Sequence, residues 1–168
     1  MLEIFNFFFT QYKTSSSTDI TLEIIAVIFG FLSVWFSKEN KIWVFPTGMI
    51  STSIFVYLLL KWGLLGDMMI NAYYFIMSVY GWYIWTRKIN ETTVTPISRI
   101  TSKERQKGII LFLSTLIFVF IIYKFFDKWT GWVAYADTFT TAIFFVGMWL
   151  MAKRKIENWI FWILGNII

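Results

Sequence analysis

Histidine and cysteine are both missing from this chain. Without cysteine there are no disulfides, thiolate metal sites or cysteine nucleophiles. Without histidine the usual general base, the commonest transition-metal ligand and the serine–histidine dyad are gone too. Proline occurs only twice, and charged residues fill just 15% of the 168 positions. A soluble domain usually carries about 25% charged residues, because its surface must be wetted. Catalysis would have to rest on carboxylates, lysine, tyrosine or serine alone. The chain therefore reads as a non-enzyme with no cofactor and no metal.

What is present in excess is apolar and aromatic: 58% hydrophobic residues, with 19 Phe, 10 Trp and 8 Tyr. The solvent suited to that much apolar surface is lipid. Uncharged runs fall at 24–37, 42–60, 68–86, 108–123, 138–152 and 158–168. A membrane-crossing helix takes about 20 mostly apolar residues. The second and third runs, at 19 residues each, meet this directly. The first, fourth and fifth reach it with their flanks. The sixth, at 11 residues, does not. Six helices are predicted near 21–37, 42–61, 66–86, 108–126, 134–152 and 157–168, with Ser17 or Thr18 as the first cap.

The net charge of +5 lies between these runs and builds no basic helical face, so nucleic acid is not an expected partner. Its placement instead orients the chain. Eleven Lys and Arg residues fall in the loops after the first, third and fifth runs, against four on the other side. The positive-inside rule puts the eleven in the cytoplasm and the N-terminus outside. The organisation expected is an extracytoplasmic segment 1–20, a three-helix bundle 21–86, a cytoplasmic linker 87–107, a connecting helix and loop 108–133, and a partial second bundle 134–168. Residues 1–12 lack the basic start and cleavage site of a secretory signal.

An internal repeat is visible. Glu23 followed by Phe31 to Trp35, a basic loop and Trp43-Val44-Phe45-Pro46 parallels Asp137 followed by Phe145 to Trp149, a basic loop and Trp159-Ile160-Phe161-Trp162. Acid to first Trp is the same interval in both copies, and the copies run in the same direction. A 3+1+3 plan of parallel repeats follows, an all-α membrane protein in which this chain is read as C-terminally truncated, its last helix missing.

The elements Leu65-Gly66-Asp67, Asn71 and Tyr80-Gly81-Trp82-Tyr83-Ile84-Trp85, then Asp137, Glu157-Asn158-Trp159-Ile160-Phe161-Trp162 and Asn166, resemble those of PnuC-type vitamin transporters. The resemblance runs from about Glu23 to the end. It implies a sugar-transporter-like fold and facilitated diffusion of nicotinamide riboside or a related vitamin nucleoside, without a coupling ion. The family usually has Gln where this chain has Asn71. Other small solutes, such as thiamine or a sugar, stay open, as does a non-transporting membrane subunit. The expected surroundings are the inner (cytoplasmic) membrane, a vitamin-type substrate and the lipid bilayer, with homo-oligomerisation left open.

The residues themselves suggest how such a solute is held. Aromatic faces stack on a flat ring and attract a cation, and neutral amides satisfy hydroxyls or a carboxamide. Asn71 and Asn166 are amides inside apolar runs, where an unpaired polar group is costly. Tyr74 follows Asn71 by one helical turn, and Trp162 precedes Asn166 by one. Those four with Trp159 are the candidate substrate residues. The competing readings are helix–helix glue for the amides and an interfacial belt for the tryptophans. Ser51, Thr52 and Ser53 are expected to bond back onto helix carbonyls, and Pro46 with Gly48 to form a hinge or a static kink.

Overall fold

The computed structural model describes residues 16–90, 93–127, 129 and 131–168. The segment 1–15, which holds most of the expected extracytoplasmic arm and Lys13, lies outside them, as does Lys128. Among the described residues, six helices carry the fold: α1 (Ser17–Lys38), α2 (Val44–Lys61), α3 (Leu65–Thr86), α4 (Ser102–Phe125), α5 (Gly131–Ala152) and α6 (Asn158–Ile167). A small antiparallel hairpin, β1 (Lys88–Asn90) and β2 (Thr93–Val94), sits between α3 and α4. Four helices, α1, α2, α4 and α5, are long and apolar enough to cross a membrane. α3 has the length, at 22 residues, but Asp67, Asn71 and four tyrosines make it less apolar. It packs between α2 and α5, where Tyr73 and Tyr74 meet protein, while Asp67, Tyr80 and Tyr83 stay exposed.

Several boundaries differ from the sequence expectation, each for a local reason. α1 starts earlier because Ser16, not Ser17 or Thr18, is the cap; its hydroxyl accepts from the Thr18 N–H. Asp19 in the first turn is buried and pairs with Lys61 at 2.6 Å, tying the start of α1 to the end of α2. α4 starts at Ser102 instead of 108, so Lys103 to Lys107 are helical and not a loop. A capping box explains this: the Thr101 hydroxyl accepts from Glu104 N–H while the Glu104 carboxylate accepts from Thr101 N–H. α5 gains a turn and begins at Gly131, whose φ of +63° suits glycine. α6 has ten residues, about 15 Å at 1.5 Å per residue, too short to cross, as expected.

The linker is not free. Ser98 N–H donates to the Arg154 carbonyl, Ile156 N–H donates to the Ser98 carbonyl, and Ile100 N–H donates to the Glu157 carboxylate. Lys155 donates to Ser98 Oγ and the Arg99 carbonyl and pairs with Glu104 at 2.9 Å. These bonds fasten the linker onto the turn between α5 and α6.

The helices pack in the order α1–α2–α3–α5–α6, with α4 against α5. One core cluster joins Val44 and Phe45 of α2 to Trp85 of α3, and another joins Met77 of α3 to Met148 and Ala152 of α5. Phe45 is fully buried, edge-on to Trp85 at 5.0 Å. It lies against the backbone at Gly81, where any Cβ would strike the ring. The outward sides of α1 and α4, with Ile24, Val27, Phe31, Ile110 and Ile117, are exposed and apolar.

The α1–α2 and α5–α6 hairpins turn through the same hydrogen bonds. In the first, Asn40 N–H donates to Ser37 O, Lys41 N–H to Phe36 O and Val44 N–H to Lys41 O. In the second, Arg154 N–H donates to Met151 O, Lys155 N–H to Leu150 O and Asn158 N–H to Lys155 O. Asn40 and Arg154, the pivots, have φ of 53° and 56°. This register matches Glu23 to Asp137 and Trp35 to Trp149, as the sequence comparison has them. Beyond the turn it differs by two residues: Trp43 matches Glu157 and Phe45 matches Trp159. Aligning Trp43 with Trp159 followed residue identity; the turn geometry corrects it.

Candidate substrate cavity

A cavity of about 610 Å³ opens between the α1–α2–α3 group and α5–α6. Trp162, Trp159 and Asn166 of α6 and Tyr74 of α3 form one wall. Ser33 and Ser37 of α1, Gly48, Ser51 and Thr52 of α2, and Ser78 of α3 form another, with Met148 and Met151 of α5 between them. Among the described residues, no charged side chain lines it.

The aromatic wall is fixed by packing. Trp162 lies 5.9 Å from Tyr74, edge to face, and 5.5 Å from Phe144. Gly147 makes room for it: a Cβ there would stand 3.2 Å from Phe161 Cβ and 3.7 Å from the Trp162 ring. Behind Tyr74, Tyr73 stacks on Phe145 with centroids 3.8 Å apart and donates its hydroxyl to the Phe145 carbonyl. α3 and α5 are thereby locked together beneath the wall.

The amides behave differently from each other. Asn166 lines the cavity and its Nδ2 donates to the Trp162 carbonyl one turn back, which leaves Oδ1 as an acceptor. Asn71 makes the same kind of bond, Nδ2 to the Asp67 carbonyl, but is not among the lining residues. Four of the five candidate residues, Tyr74, Trp159, Trp162 and Asn166, are thus brought to one cavity, and Asn71 stands apart from it.

The hydroxyl wall was not expected from the sequence. Thr52 bonds back to Gly48 O and Ser53 to Ile50 O, as anticipated for these residue types. Ser51 and Ser33 instead reach across helices, to the Ala26 and Val44 carbonyls, both at 2.8 Å. Ser78 is 3% exposed and lines the cavity. The legible signal was the spacing of small residues, Gly30-Ser33-Ser37 and Gly48-Ser51-Thr52, which puts each set on one helix face. Asp137 lies elsewhere, accepting a hydrogen bond from the Tyr123 hydroxyl.

An uncharged cavity with aromatic faces, hydroxyls and one free amide acceptor can bind a flat polyhydroxylated solute; it offers no nucleophile–base pair for catalysis. Comparison with known proteins agrees. The chain is 20% identical to the nicotinamide riboside transporter PnuC of Escherichia coli (strain K12), covering 88% of this chain and 71% of that one. It is 24% identical to PnuC of Neisseria mucosa, over 89% of this chain and 58% of the relative. The crystal structure of the vitamin B3 transporter PnuC superposes with a TM-score of 0.66 at 24% identity, over 99% of this chain and 70% of that one. These relatives are transporters and not enzymes. The family model described as nicotinamide mononucleotide transporter matches residues 20–168, and the chain belongs to that family.

Proposed function

We propose that this chain is an integral membrane transporter that takes up nicotinamide riboside, or a closely related vitamin nucleoside, by facilitated diffusion across the cytoplasmic membrane. The observation that carries the reading is the chemistry of the large cavity. Trp162 and Tyr74 offer ring faces to a pyridinium, whose positive charge is attracted by their π-electrons. Among the described residues, no cation stands in the wall to repel it. The ribose hydroxyls find hydroxyl partners on α1, α2 and α3, and the carboxamide finds Asn166 Oδ1.

The 3+1+3 plan is part of the same reading, with three, one and two helices carried by this sequence. The matching turns of the two hairpins support it, as does the place of α4 between the halves. The eleven-to-four distribution of Lys and Arg supports an N-terminus outside the cell. Positioned this way, the cavity lies between two similar halves that can rock against each other.

The test is a calorimetric titration of the purified chain in neutral detergent with nicotinamide riboside, thiamine and a hexose. Saturable heat with nicotinamide riboside alone is the expected result. Preference for the hexose would convert the hydroxyl wall into a sugar site and overturn the vitamin reading.

A further inference from the structure

A second cavity, of about 280 Å³, adjoins the first at the basic end of the helices and shares Ser37, Met151 and Trp159 with it. Its remaining walls are polar in an unusual way. Trp85 and Asn158 are 6% and 7% exposed, and Trp85 Nε1, Asn158 Oδ1 and Arg154 Nε are buried without a hydrogen-bond partner. An orphaned buried polar atom is destabilising, and here three of them belong to residues that line one space.

The charge is equally unbalanced. Arg154 donates to the Thr95 carbonyl and Asn40 Oδ1, both neutral, and its guanidinium lies 4.2 Å from the Trp85 ring centroid. Burial lowers its pKa from the usual arginine value. Lys38, at the rim, stands over Trp35. Of the acids at this end of the helices, Glu104 pairs with Lys153 and Lys155 and Glu157 accepts from the Ile100 N–H, while Glu39, next to Lys38, is exposed. Neither Arg154 nor Lys38 has a carboxylate partner among the ion pairs of the described residues.

The repeat shows that the turn itself can be made without an arginine or an asparagine at these two positions. At the positions of Arg154 and Asn158, the first hairpin makes the same turn with Asn40 and Val44. Arg154 and Asn158 are the second hairpin's own contribution to the polar set, while Trp85 comes from α3 and Lys38 from the end of α1.

We propose that this cavity binds a phosphate group. Arg154 and the Trp85 indole donate to its oxygens, Lys38 closes the rim, and Asn158 Oδ1 accepts from a hydroxyl on the phosphate or from a donor attached to it. The last contact is what selects phosphate: a carboxylate or sulfate is acceptor-only and leaves Oδ1 unpaired, whereas inorganic phosphate carries a P–OH near neutral pH. A phospholipid headgroup supplies the same pairing, with its phosphodiester as acceptor and its glycerol hydroxyl or ammonium as donor. The assignment does not depend on which solute the larger cavity carries.

The experiment uses the whole chain in neutral detergent at constant ionic strength. Inorganic phosphate and sulfate are titrated calorimetrically, and retention of phosphatidylglycerol against phosphatidylcholine is read by native mass spectrometry. Phosphate binding several-fold tighter than sulfate is expected, lost by roughly tenfold in Lys38→Gln and in Trp85→Phe, which keeps the ring and deletes the donor. Asn158→Val, copying the first hairpin, should bring phosphate and sulfate to parity. Arg154→Gln should abolish binding; if it fails to fold, the other variants still decide. Phosphatidylglycerol retained by the parent and lost in the same variants, with no heat from inorganic phosphate, would identify the headgroup as the source. No phosphate heat and no retained lipid, or binding indifferent to Lys38→Gln and Trp85→Phe, overturns the proposal. A nicotinamide riboside titration of the Lys38→Gln chain separates this outcome from failure of the transport reading.

Discussion

Arg154 donates to Asn40 Oδ1 at 3.4 Å, and these two residues occupy the same position in two copies of one turn. A second pair repeats the relation: Ser37 Oγ lies 3.5 Å from Met151 Sδ, again 114 residues apart. Both contacts join positions that the two turns share. The two contacts therefore mark where the hairpins face each other, beside both cavities.

The copies also trade sizes. Gly30 faces Ser51 in the first hairpin, and Phe144 faces Gly165 in the second. A Cβ on Gly165 would strike the Phe144 ring. Gly165→Ala should destabilise the chain by about 1–3 kcal/mol through overpacking. In a Phe144→Ala background, where the ring is gone, the same substitution should cost almost nothing. Unfolding free energies from a four-member cycle in detergent check this; additive costs would show that the two residues do not share the contact.

Solute affinity should separate the two amides. Asn166→Leu leaves a substrate polar group unpaired and should cost about 1–3 kcal/mol of binding, about 5- to 150-fold in Kd. Asn71→Leu should leave affinity within a factor of about two, since Asn71 lies off the cavity wall. Trp162→Ala should weaken a cationic ring more than a neutral one. Calorimetric titration of nicotinamide riboside reads all three, and equal losses at Asn71 and Asn166 would place both amides in the site.

The capping box is open to a stability test. Thr101→Ala removes the acceptor for Glu104 N–H and should lower stability by about 0.5–2 kcal/mol. The first turn of α4 should fray, raising amide exchange at 102–105. Unchanged exchange there would mean that the α5–α6 turn alone holds the helix start.

Orientation is testable because the chain contains no cysteine to interfere. A cysteine at exposed Lys103 should react with a membrane-impermeant thiol reagent only after the cells are opened. One at exposed Leu64 should react from outside. The opposite pattern would reverse the topology and put the basic cavity on the outer face.

The sequence alone determined the membrane environment, the six helices of the described residues and the one-turn spacing of Trp162 and Asn166. These rest on local properties: run length, charge placement and one-turn spacing are carried by neighbouring residues. It also carried the repeat as far as Trp35 and Trp149, where the matching residues keep one interval. Past the turn the register was misread, because Trp43 and Trp159 are alike in chemistry but not in place. Only backbone hydrogen bonds around Asn40 and Arg154 fix that register. The tertiary structure likewise decided that Asn71 stands off the cavity while Ser33, Ser51 and Ser78 line it. Which face of a helix meets a partner depends on how five helices pack together, and a uniformly apolar helix does not announce that face in its sequence. The linker shows the same limit: Thr101 and Glu104 are a local cap that the sequence contained, but its fastening to Arg154 and Lys155 joins residues far apart in the chain, and only folding brings them together.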